Sequence, residues 1–141
     1  MFLRTATPPG DWRSLKFTVD ISAGVRGMLD VANDFIAGVY TSFLYLVEDT
    51  VGAVLESADF GDEAVLMYHA EKIMVPKMVG STEIFLPGMR VYWDPVTRFV
   101  TPNYDSGYYW IGIATEPSGA NDRGVEIDLD GNHAEVEAIL P

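Results

Sequence analysis

Few side chains in this chain could carry catalysis or metal binding. The only histidines are His69 and His133, and neither stands in an H-x-x-x-H or H-E-x-x-H pair, the spacing that sets two imidazoles on one helix face around zinc. A serine triad needs a histidine as base, but His69 falls in a predicted strand and no G-x-S-x-G turn occurs. A Ser–Lys dyad would use Lys72 or Lys77, and no sequence cue favours it. The phosphate-cradling G-x-x-x-x-G-K-[ST] is absent. Asp128-Leu129-Asp130-Gly131-Asn132, with Glu135 beyond, has the outline of a calcium loop. Such loops close on a bidentate Glu at position twelve, and here that position is Ile139. A polar β turn is expected there instead. With no cysteine, thiolate metal sites and disulfides are excluded. The expectation is a non-enzymatic chain with no metal and no cofactor.

The elements around these residues read as short β runs with turn punctuation. Lys16–Ile21 alternates and stops at Ser22-Ala23-Gly24. Phe35–Val47 is rich in β-branched and aromatic residues and is expected to bend near Gly38 or Thr41-Ser42. Val51–Leu55 follows, and Ala64–His69 with Lys72–Val75 forms one bent strand or two. Further runs cover 84–86, 91–93, 99–101, 108–115, 125–129 and the end, 136–140. A helix within Thr50–Phe60 is disfavoured by Val and Gly. Short strands broken by Gly and Pro predict an all-β domain, with at most one short helix, folded as a compact antiparallel barrel or sandwich. A chain of 141 residues suits one domain. The division expected is an extended N-terminal arm over 1–15, broken at Pro8-Pro9-Gly10, and a β-rich body over 16–141. Phe2, Leu3 and Trp12 are costly to leave wet on such an arm. They pack either on their own domain or on a partner.

Charge narrows the partners. The net charge is −12, with nine acidic residues and no Lys or Arg between Gly27 and Glu71. Such a surface repels phosphate backbones and anionic lipid, so neither nucleic acid nor membrane is an expected partner. No run approaches the ~18 apolar residues of a membrane helix, and no secretory leader is legible in the first residues.

The most informative stretch is GMRVYWDPVTRFVT, residues 88–101. Asp94-Pro95-Val96-Thr97 suits a type I turn: Asp first to accept a backbone N–H, Pro second to preset φ. Val91-Tyr92-Trp93 and Arg98-Phe99-Val100 then form a hairpin with Tyr92 and Trp93 on opposite faces. In the following strand Tyr109, Ile111 and Ile113 share one face, and Tyr108, Trp110, Gly112 and Ala114 the other. The aromatic run Tyr108-Tyr109-Trp110 could serve core packing or an adhesion surface for a host glycan or surface protein.

The order of these motifs resembles a family of small proteins from the head-gene regions of tailed bacteriophages: capsid decoration, or cement, proteins, sometimes carrying a recombinase-like label. A "G-D-x-V-Y-W-D" pattern resembles Gly88–Asp94, and "I-G-V-A" resembles Ile111–Ala114. Weaker matches are Ile21–Gly27 to "P-A-G-G-V-x-x-G", Gly38–Tyr40 to "G-V-A", Gly61–Val65 to "G-E-x-V", and Ile73–Lys77 to "V-x-x-x-K". The similarity spans roughly 16–131; the early element lacks the family's Pro and one Gly. The resemblance implies a barrel-like virion protein on the outer capsid surface, made in the host cytoplasm. It also implies a homotrimer bound to the major capsid protein, cementing capsomer junctions. The arm lies outside the matched span, and on this reading its Phe2, Leu3, Arg4, Pro8, Pro9 and Trp12 are the expected capsid contacts. Tyr92, Trp93, Asp94, Pro95, Phe99 and Trp110 become the structural hairpin and a subunit contact.

Overall fold

The structure, a computed structural model, describes residues 13–27 and 44–131. These contain eight strands and no helix. In chain order they are β1 (Arg13–Thr18), β2 (Leu44–Val47), β3 (Thr50–Val54), β4 (Glu63–Pro76), β5 (Arg90–Trp93), β6 (Val100–Thr101), β7 (Tyr109–Ala114) and β8 (Gly124–Asp130). All pair antiparallel in one sheet of order β2-β3-β4-β8-β7-β5-β6, with β1 on β4. The sheet curls. Lys77 bridges Val100 in parallel, and the Met78 N–H donates to the Val100 carbonyl at 2.9 Å, so the β6 edge returns to the end of β4. One curled sheet makes the domain barrel-like; two facing sheets would have made a sandwich.

Thr50–Val54, where a helix was the weaker alternative, is a strand, as its β-branched residues favour. The region from Ala64 to Val75 is one bent strand. Its ladder to β8 is irregular between Ala70 and Ile73, and Lys72 sits at φ 56°. The bend lets one strand serve two neighbourhoods: the first half of β4 pairs with β1 and β3, the second with β8. β1 begins at Arg13, so the last three residues of the stretch read as an arm belong to the sheet. Residues 84–86 contribute a single bridge, Phe85 to Ser118, not a strand. The expected runs over 35–43 and 136–140 lie outside the described residues.

Alternation explains the core. Met67, Ala53 and Leu44 enter the main cluster with Trp93, Phe85, Ile111 and Ile127, while Leu66, Val54 and Tyr45 enter a second one with Val19 and Val25. The β2-β3-β4 region is therefore apolar on both faces. The β8 run Val125-Glu126-Ile127-Asp128-Leu129 keeps the alternation read from its sequence, the hydrophobic members buried and the acidic ones outward. β7 does not. Val91 pairs with Gly112 but Tyr92 with Trp110, leaving Ile111 as an extra residue, a β-bulge. Beyond it the parity reverses. Ile111 and Ala114 are both core residues and Ile113 is half-exposed, which corrects the Tyr109/Ile111/Ile113 face expected from strict alternation.

Candidate functional site

The predicted hairpin exists, and its turn is built around Asp94. The carboxylate accepts the Val96 N–H at 2.9 Å and the Thr97 hydroxyl at 3.0 Å. The loop closes one residue later than a type I turn would: the Arg98 N–H donates to the Asp94 carbonyl at 2.7 Å, and Arg98 takes φ 65°. A non-glycine residue there is uncommon. Its guanidinium rests over the Tyr45 ring, 4.9 Å from the centroid, which offsets some of that cost. Tyr108 also reaches Asp94. Its phenol is held above the ordinary 10.0 by burial first, then by the Asp94, Asp105 and Glu83 charges and a hydrogen bond to Asp94.

Asp94 is thus a buried turn keystone, its carboxylate held by the Val96 N–H and the Thr97 hydroxyl. Asp94→Ala is expected to cost about 2 kcal/mol, a typical loss for a hydrogen-bonded buried charge, read from the urea midpoint at constant slope. Asp94→Asn should cost less and lower the Tyr108 titration in ultraviolet difference spectra, because a charge that opposes phenolate formation is gone.

The other hairpin residues take different roles. Trp93 is 1% exposed in the main core, tilted against Tyr109 at 6.1 Å between centroids. Tyr92, on the opposite face as expected, is also buried, covered edge-on by Tyr104 at 5.3 Å. Pro95 and Phe99 are half-buried. Trp110 lies on the outer face, its Nε1 donating to the Gly112 carbonyl at 3.0 Å and the Arg90 guanidinium 4.3 Å over its ring. The run Tyr108-Tyr109-Trp110 is therefore not one aromatic platform: Tyr108 turns to Asp94, Tyr109 to the core and Trp110 outward. Phe2, Leu3, Arg4, Pro8, Pro9 and Trp12 lie outside the described residues, as does His133.

Two features escaped the sequence reading. Lys77, weighed above only as half of a dyad, is buried at the barrel's end. Its Nζ donates to the carbonyls of Gly119 and Asp122, both at 3.0 Å. Ser118, its neighbour in the loop, donates instead to the Gly124 carbonyl. Beside this clasp, Glu83 accepts from Thr101 at 2.6 Å and from Asn103 at 3.2 Å. The second feature is an apolar patch. Val79 and Ile84 flank the tight turn closed by the Glu83 N–H on the Gly80 carbonyl, and all three of Val79, Ile84 and Leu86 are exposed. Buried Phe85 between the last two anchors them to the loop at Ser118. A lysine closing an apolar run, and the pattern Ile-Phe-Leu before Pro-Gly, were the available signals.

An open groove of about 440 Å³ crosses the outer face where β4, β8 and β7 meet. Trp110, Ile113 and Gly112 form its apolar side, and Glu71, Asp128, Asp130 and His69 its polar side. His69 Nδ1 stands 3.6 Å from the Asp130 carboxylate. Asp128 lies in β8, within the run expected as a strand, and Asp130, expected in a polar turn, is the last residue of that strand. Among the described residues no three His, Asp or Glu side chains are grouped to hold a metal ion, and no helix is long and apolar enough to cross a membrane. Comparison with protein-family models, with curated proteins and with solved structures finds no match.

Proposed function

We propose that this chain is a structural virion protein that binds the outer surface of an assembled phage head and cements the joints between capsomers. The observation that carries the reading is that its two most particular motifs form one unit. V-Y-W-D, at the end of β5, pairs with the strand that contains I-G-I-A, β7, and together they hold the indole at the centre of the core. The surface supports it as well. Val79, Ile84 and Leu86 offer an apolar contact at one end of the barrel, and the acidic body favours solubility. The partners in this reading are the major capsid protein and two further copies of the chain in a trimer. A trimer touches several capsomers at once, so weak single contacts add to a firm attachment.

The test is co-sedimentation with heads built from the major capsid protein encoded by the same genome. Saturable binding to expanded heads, persisting in high salt, with little binding to unexpanded shells, is the expected result. Binding to neither form removes the reading. Deleting residues 1–12 leaves β1 whole and is expected to lower occupancy while the far-ultraviolet circular dichroism is unchanged. Full occupancy after that deletion would move the contact from the arm to the body.

A further inference from the structure

We infer that the outer-face groove at the β4–β8–β7 junction is a docking site for a basic peptide segment, taking an arginine or lysine side chain of another protein. The inference stands apart from the head-binding reading. It starts from where the sheet breaks its own regularity. β4 is irregular at Glu71-Lys72, where the Lys72 N–H leaves the ladder for the Asp128 carboxylate at 3.0 Å. β7 carries its extra residue at Ile111. The first irregularity lies opposite Asp128; the second faces β5, one residue before Gly112, which pairs with Leu129, and the groove opens across the β8 residues Asp128–Asp130 between them. Bulges of this kind re-aim side chains and gather beside binding sites. Its volume falls in the range of ligand clefts.

The lining selects the occupant. One side is apolar, with Trp110 and Ile113, and Gly112 adds no side chain there. A Cβ at Gly112 would collide with the Asp128 carbonyl, so glycine lets β7 lie close against β8. The other side brings three carboxylates, Glu71, Asp128 and Asp130, and among the described residues no Lys or Arg side chain lines the groove. An apolar wall facing an acidic one fits a side chain with an aliphatic stem and a cationic head. The same indole already carries the Arg90 guanidinium from the β5 side, so the ring's attraction for a cation is realised within this chain. Anionic ligands are repelled. A second copy of the chain, itself at −12, meets long-range repulsion, so a foreign basic segment is the favoured occupant.

The experiment titrates the full chain with a short blocked peptide of alternating glycine and arginine, followed by amide and indole NMR shifts. Shifts confined to residues 69–71, 110–113 and 128–130, with the Trp110 indole among them, are expected. They should shrink as salt is raised. Asp128→Asn with Asp130→Asn should weaken binding about three- to tenfold, as expected for two partly exposed charges. Glu71→Gln, at an exposed position, provides the same readout if the double variant folds poorly. The glutamate version of the peptide should give no shifts. No shifts with the arginine peptide, or shifts spread evenly over the acidic surface, overturn the proposal. So does equal perturbation by a neutral methyl glycoside, which would make the groove a sugar site. Shifts at the same amides on raising protein concentration alone would give the groove to a second copy, and overturn it too.

Discussion

Trp93→Ala is expected to lower the unfolding free energy by about 3–5 kcal/mol, the largest effect of any single substitution in the hairpin. At this chain length such a loss shifts the melting midpoint by roughly 10–20 °C. The indole is 1% exposed and sits among residues from most of the barrel wall, including Phe85, Ile111 and Ile127. Truncation leaves a void that the curled sheet cannot readily collapse around, because β5, which carries Trp93, is fixed by ladders to β6 and β7. One property moderates the indole's own contribution. Its Nε1–H is buried without a hydrogen-bond partner among the described residues. An orphaned buried donor costs about 1–3 kcal/mol, so Trp93→Phe removes volume and that penalty together. Its cost is expected to be less than half that of Trp93→Ala in parallel thermal and urea melts. A phenylalanine variant as unstable as the alanine one would show that the N–H is satisfied, by water or by residues beyond those described.

The contrast between Trp93 and Trp110 shows how far the sequence could be read. Alternation placed Trp93 opposite Tyr92, and the single curled sheet follows from short β runs that each need a covered face. Val125–Leu129 is legible for the same reason: its pattern depends only on which face meets water. The β7 bulge is different. An extra residue is defined by the strand opposite, so nothing within Tyr109–Ala114 announces it, and every assignment beyond it slips by one face. The Asp94 turn fails by one residue for a related reason. Its closure at Arg98 is supported by the Tyr45 ring, which belongs to β2, far away in sequence. The groove inherits both difficulties. Asp128 and Asp130 are plain in the sequence, but their meeting with Trp110 depends on two irregularities in two other strands.

Lys77→Ala is expected to destabilise the chain by about 3 kcal/mol and to release the loop over 116–124 before the rest of the barrel. The amine is 3% exposed at the residue level and donates to two carbonyls of that loop, Gly119 and Asp122. Removing it leaves both acceptors without their charged donor, and hydrogen bonds to charged groups contribute about 1.5–3 kcal/mol each. Two backbone bonds share the clasp, the Lys77 N–H to Arg123 and the Gly80 N–H to Ala120. Amide exchange at Gly80 and Ser118 should therefore accelerate more than at Ile127 in the variant. Uniform acceleration would mean that the loop and barrel open as one unit. The charge has its own signature. Burial lowers the Lys77 proton affinity below its ordinary 10.5, against the pull of Glu83 and Asp122. Between that lowered value and 10.5 the unfolded chain holds the proton more often than the folded one, so this residue's contribution to stability rises with pH across the window. At neutral pH both states are charged and the slope from Lys77 is zero. Tyr108 acts with the opposite sign. Its raised value makes the fold retain a proton that the unfolded chain loses from 10.0 upward, so its contribution falls as pH rises. Lys77→Met fills much of the same space without a titrating group. In it the alkaline rise should vanish and the Tyr108 fall should remain, and a profile unchanged from the parent chain would place the rise on another group.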